Sequence, residues 1–301
     1  MHTRRFIPFL VLVFAAVTAR AEVEITLKNA FIKKFKDRAT IDAKFTFDKA
    51  HAKANPAKKD GDLHAAGRAP EIGLATVAEI MNAKDEDAGV AAIHDVEGTN
   101  TSRAVVGAWR LWAEHGGGEP HVQGKALTKF TTTNPDHVFQ VHPLTKIGDI
   151  DMRDSLHPIS GFKYKDAEDA FHRYENTRCK ITPGATTTKL TTTMAGFNYV
   201  EFILEVLDDP GALPDGKQVF ASVLDLDGNM LIRRRRMIFI ADTPPERAVR
   251  NLHQGDQLHV VGIPRIDLAL VSWRAEHAKE RPEVLTWNLP YEIIVVAAFS
   301  E

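Results

Sequence analysis

The stretch QVFASVLDLDGNMLIRRRRMIFIADTPPERAVRNL, residues 218–252, decides the fold. Two runs rich in β-branched and aromatic residues flank Asp225-Leu226-Asp227-Gly228-Asn229, and the Gly and Asn suit a tight reversal between paired strands. A helix start follows: Asp242 or Thr243 can act as N-cap, Pro244 and Pro245 fill the first turn, and Glu246 sits one turn in. Upstream, TTTKLTTTMAGFNYVEFILEVL (186–207) carries one or two strands. Downstream, QLHVVGIPRIDLALVSW (257–273) and PYEIIVVAA (290–298) read as strands. Strand, hairpin, helix, strand, strand is the order of an OB-fold barrel, whose helix falls between the third and fourth strands.

The first half fits a looser version of the same order over about residues 23–147. VEITLKNAFIK (23–33) and ATIDAKFTFD (39–48) alternate apolar and polar residues, as half-buried strands do. LHAAG (63–67) is a short strand. In TVAEIMNA (76–83), Val77, Ile80 and Met81 stand at helical spacing, and DEDAGVAAIHDV (85–96) continues that helix. AVVGAWRLWAEH (104–115) and HVFQVHPLTKI (137–147) are strands, and DAEDAFHRYE (166–175) is a short helix linking the halves. The fold class is therefore mostly β: two tandem OB-fold-like β-barrels with short helices, in domains 22–150 and 151–301.

Residues 1–21, MHTRRFIPFLVLVFAAVTARA, form a signal peptide by pattern. Arg4 and Arg5 precede an apolar run from Phe6 to Val17, and Ala19-Arg20-Ala21 makes an A-x-A cleavage site. That run is too short to cross about 30 Å of hydrocarbon, so it predicts export to the periplasm or cell exterior rather than anchoring. No later stretch is long and apolar enough to span a membrane. The single cysteine, Cys179, excludes an internal disulfide. A formal net charge of −2 argues against a general polyanion binder and makes nucleic acid a poor partner.

DGDLH (61–64 with Asp60), WRLWAEH (109–115) and VFQVHPLT (138–145) together resemble a pattern in uncharacterised exported bacterial proteins with small OB-like domains. These carry D-G-D-x-H and E-I-H-P-V-T-type motifs. The shared positions are Asp62, His64, His115, His142 and Pro143, with Gln140 and Phe139 standing where that family has glutamate and tryptophan. The resemblance covers roughly residues 60–147. It implies an OB-like fold and candidate positions rather than an activity.

Two sets of residues are candidate sites. In a strand, positions i and i+2 share a face, so Asp62 with His64, and Gln140 with His142, can converge beside His115. Asp62, His64, His115 and His142 would suit zinc or manganese, and a water on the ion could hydrolyse a substrate with Glu114 as general base. The plainer reading has the same side chains hydrogen-bonding neighbouring strands and loops. The second set is Arg233, Arg234, Arg235 and Arg236, on the strand pair where OB folds bind oligonucleotides and oligosaccharides. Paired guanidiniums suit an anionic polysaccharide or a protein partner, and Trp112 or Trp287, if exposed, could stack on a sugar. Here the plainer reading is ion pairing with Glu201, Glu205, Asp225 and Asp227. Asp-Leu-Asp-Gly-Asn lacks the distant glutamate of a calcium loop and is a hairpin turn. No G-x-S-x-G is present. The leading expectation is a non-catalytic binding or interaction protein; a divalent-metal-dependent hydrolase is the alternative.

Overall fold

The computed structural model describes residues 22–299, and the signal-peptide reading of 1–21 lies outside them. Strand β1 (Glu22–Lys28) gives way to helix α1 (Asn29–Phe35). The alternation expected through residue 33 therefore stops at Lys28. Beyond it Phe31, Ile32 and Phe35 are buried at helical spacing.

The first barrel comprises β2 (Thr40–Ala50), β3 (Leu63–Arg68), β4 (Thr76–Ile80), β5 (Ser102–His115) and β7 (His137–Ile147), with helix α2 (Asp87–His94) between its third and fourth strands. The short β6 (His121–Val122) leaves the barrel, and β8 (Ile150–Asp151) extends its edge. Strand β3 pairs antiparallel with β2 and β4, β5 with β2 and β7, and the parallel β4–β7 ladder closes the ring. Residues 76–80 are thus a strand and not the helix their spacing predicts. All five are buried, because β4 is covered on both faces, and a strand buried on both sides has no alternation to read.

Helix α3 (Ala167–Asn176) is capped by Asp166, whose carboxylate accepts from the Asp169 amide at 3.1 Å. Strands β9 (Arg178–Pro183) and β10 (Thr187–Thr193) follow. The second barrel runs through β11 (Val200–Val206), β13 (Gly216–Leu224), β14 (Met230–Ile240) and β15 (Gln257–Ile266), and ends with β17 (Tyr291–Ala298). Before β13 lies the short β12 (Gly211–Leu213), and after β14 comes helix α4 (Pro244–Val249). Its closure repeats the first barrel: β11–β13, β13–β14, parallel β14–β17, β17–β15 and β15–β11. Both halves are therefore closed five-stranded barrels of OB connectivity.

The hairpin turn forms as read. Asp225 accepts from the amides of Asp227 and Asn229 at 3.0 and 2.7 Å, and Gly228 adopts φ +85°, the left-handed region that glycine enters without strain. Thr243 caps α4, with Pro244 and Pro245 in its first turn. In the second half one segment departs from its pattern: Asp267 accepts from the Leu270 amide at 2.9 Å and starts helix α5 (Leu268–His277), so DLALVSW is helical and β15 ends at Ile266.

A third sheet crosses between the halves. Its order is β16 (Thr286–Asn288), β9, β10, β1, β6, so strands from both ends of the chain share one ladder. The barrels also meet at a buried polar seam. Arg265 lies flat on the Trp109 indole at 3.6 Å and donates to the carbonyls of Ala39, Trp109 and Arg38 at 3.0, 3.0 and 2.9 Å. Its Nε donates to Glu292 at 2.6 Å, and the other Glu292 oxygen faces Arg236 at 3.2 Å. Arg110 of the first barrel donates to the Pro264 carbonyl at 2.9 Å. Burial pushes the Glu292 carboxyl up to about 7 while the two guanidiniums pull it back. Among the described residues no helix is long and apolar enough to cross a membrane.

Candidate functional sites in the two barrels

In the first barrel, pairing register builds a polar cluster. Strand β3 sets His64 opposite Glu79, and the β4–β7 ladder sets Ala78 opposite Val141, bringing His142 beside Glu79. Asp62 enters just before β3. Tyr199, just before β11, reaches across from the second barrel. Asp62, Glu79, His142 and Tyr199 are all buried, whereas His64 and Asp60 keep partial exposure on the solvent side. The Tyr199 hydroxyl donates to Asp62 Oδ2 at 2.7 Å and lies 2.8 Å from His142 Nε2. Glu79 Oε2 faces His142 Nδ1 at 3.3 Å and His64 Nε2 at 3.4 Å. Its other oxygen accepts from Gln140 at 2.6 Å. Two trios, Asp60–Asp62–His64 and Asp62–Glu79–His142, each place ligand-type atoms within 4.8 Å of one another.

Environment sets the protonation tendencies. Burial, reinforced by Asp60, holds the Asp62 carboxyl well above the usual carboxylate range. Burial lowers His142 to about 4 against the opposing pull of Glu79. For His64, burial works downward, but Glu79, Asp62 and Asp60 together outweigh it and the shift is upward.

Of the four residues expected to share a metal, Asp62, His64 and His142 come together and His115 does not. His115 lies 3.9 Å from Glu114, stacks on His137 at 5.0 Å, and belongs to neither trio. Its neighbour Glu114 is held by Arg110 at 2.9 Å. Burial acts to raise the Glu114 carboxyl, yet Arg110 and His115 leave it low, which weakens it as a base. Arg110 also donates to Gln140, so Arg110, Gln140 and Glu79 form one chain. Sequence reasoning missed Glu79 because the helical reading of TVAEIMNA hid its position opposite His64. Tyr199 carried no local signal, since only the packing of the two barrels brings it to Asp62.

His137 offers a pH test of this region. Burial lowers it to about 4, with the Pro135 carbonyl accepting from its ring at 2.7 Å and working the other way. A histidine depressed in the fold loses its contribution as pH falls through the unfolded value, about 6.5, towards the folded one. Relative to a His137→Gln variant, the wild type is expected to lose on the order of 3 kcal/mol of unfolding free energy between pH about 6.5 and 4. Parallel pH profiles in urea would contradict this.

In the second barrel, β13, β14 and α5 enclose a cleft of about 470 Å³. Arg234 lies over the Phe220 ring at 4.1 Å and reaches exposed Asp208 at 3.0 Å. Arg235 lies over Tyr291 at 4.0 Å and pairs with Glu175, and its Nε is buried without an acceptor. Arg236 is a seam residue, bound to Gln218 at 2.7 Å and facing Glu292, while Arg233 is exposed. The partners of these arginines are thus Asp208, Glu175, Glu292, Asp37 and Asp267 rather than the four carboxylates expected. Trp112 offers no face to a sugar: it is buried, donates to the Gly196 carbonyl at 3.2 Å and packs edge-on against Tyr174. The exposed tryptophans are Trp273, on the cleft wall, and Trp287.

No protein-family model matches the chain, and no curated protein matches it. Among solved structures, a murine DNA-binding protein bound to double-stranded DNA aligns over 88% of this chain and 98% of its own. Identity is 10% and the TM-score 0.18, a likeness too slight to bear on function.

Proposed function

We propose that the chain is an exported, non-catalytic binding protein whose ligand face is the cleft of the second barrel, and that the ligand is an acidic oligosaccharide. The supporting observation is the cleft itself, where Arg234 and Arg235 lie on aromatic rings beside exposed Trp273, on the strand pair that OB folds use for polymers. Its volume falls within the range of about 300–1,000 Å³ usual for small-ligand sites.

The mixture of charges selects the ligand class. Asp37 and Asp267 share the lining with the arginines. A DNA backbone presents only acceptors and negative charge, which those carboxylates repel, and its affinity comes from unopposed cations. A uronate-type sugar instead offers hydroxyl donors to Asp37 and Asp267, a carboxylate to the guanidinium fork, and a C–H face to Trp273. The hydrolase alternative draws less support, because Glu114 is occupied by Arg110.

Titration calorimetry with trigalacturonate should show binding, with maltotriose and an oligothymidylate of similar length binding at least ten-fold more weakly. Trp273→Ala and Arg234→Ala should each weaken trigalacturonate by about ten-fold or more, equivalent to about 1.4 kcal/mol. Equal affinity for the neutral sugar, or no effect of either substitution, would sink the proposal.

A further inference from the structure

We infer that Asp62, Glu79 and His142 of the first barrel, with His64 beside Glu79, form a site for a divalent transition metal, with zinc the best fit. This is independent of the cleft in the second barrel.

The hydrogen bonds around the cluster determine which atoms remain to hold an ion. Tyr199 donates its one hydroxyl proton to Asp62 Oδ2, so its oxygen accepts the Nε2 proton of His142. The His142 lone pair then sits on Nδ1, 3.3 Å from a Glu79 carboxylate oxygen, with no hydrogen bond between them. His64 Nε2 faces that same oxygen at 3.4 Å, again without a hydrogen bond. Asp62 Oδ1 is buried and unpartnered as well. Three of the buried polar side-chain atoms left without a partner among the described residues therefore belong to this one cluster, and all three are ligand-type atoms.

The His142 Nδ1 lone pair and the Glu79 oxygen repel at this range unless a positive centre lies between them. Ligands about 2.0–2.1 Å from a tetrahedral ion stand about 3.3–3.4 Å apart, which is the spacing at Glu79 Oε2. The outward-facing groups are set as metal ligands require. Gln140 holds the far oxygen of Glu79, and Tyr199 fixes both Asp62 Oδ2 and the His142 ring. Two imidazoles and two carboxylates suit zinc, with manganese next. All three residues of the Asp62–Glu79–His142 trio are buried, so an ion there is placed to stabilise the fold.

Elemental analysis of untagged protein, stripped with a chelator and reloaded with zinc or manganese, tests the assignment. One equivalent of zinc is expected. His142→Ala and Glu79→Gln should lower zinc affinity at least about 100-fold, beyond the effect usual for outer hydrogen-bonding partners. His64→Ala, which alters a partly exposed side chain and spares the buried trio, should weaken zinc while leaving the circular dichroism spectrum unchanged. His115→Ala should keep its full equivalent. Wild type that retains no stoichiometric ion after reloading, or a His115→Ala loss equal to that of His64→Ala, would overturn the site.

Discussion

Replacing Arg265 with alanine is expected to lower the unfolding free energy by about 3–5 kcal/mol, the usual cost of leaving one partner of a buried ion pair uncompensated. Arg265 joins the barrels at a fully buried point. Its removal takes a donor from three backbone carbonyls, Ala39, Trp109 and Arg38, of which the last keeps the Trp109 indole N–H at 2.8 Å, and leaves Glu292 against Arg236 alone. The face of the Trp109 indole also loses the guanidinium stacked on it at 3.6 Å. Chemical denaturation of wild type, Arg265→Ala and Glu292→Gln measures the seam, with Arg234→Ala as an exposed control expected within about 0.5 kcal/mol of wild type. If Arg265→Ala cost no more than that control, the seam would not be what fastens the barrels.

Zinc is expected to produce a gain of similar size. An ion that binds only the folded chain, present at about a thousand times its dissociation constant, adds about 4 kcal/mol. That gain should vanish in His142→Ala and survive in His115→Ala. Denaturation with and without chelator reads it directly. Because Tyr199 brings the second barrel to Asp62 and His142, the same ion should raise the cooperativity between the barrels. A single unfolding transition in the loaded protein, against two in the chelated one, would be its signature.

Much of the fold was legible in the sequence, and its limits have physical causes. The DLDGN turn, the Thr243 cap and the two prolines are local chemistry, and local chemistry survives without tertiary context. Strand β4 was misread because burial on both faces erased the alternation that identifies a strand. Helix α5 was misread because its apolar residues continue directly from β15, and only the Asp267 cap marks the change. The sheet uniting β1 with β9, β10 and β16 joins segments more than 150 residues apart, beyond any periodic signal.

The sites follow the same division. The i, i+2 relation found Asp62 with His64, and likewise Gln140 with His142. It could not say that His115 would turn aside to stack on His137, since that depends on the irregular β5–β7 register near Leu111 and His115. Gln140, at the position where the resembling family has glutamate, is not a ligand-type atom in the cluster but the side chain that steadies Glu79. In the second barrel the arginine run lies on β14. Its four members nevertheless divide between cleft, seam and solvent, and the exposed tryptophan beside them lies on α5, not on β5.

The most direct measurement is anomalous diffraction at the zinc absorption edge from crystals of zinc-loaded protein. One strong peak should lie among the carboxylates of Asp62 and Glu79 and His142 Nδ1, about 2.0–2.2 Å from each of the three, beside His64. A map with no peak there, or with its peak beside His115 and Glu114, would contradict the site.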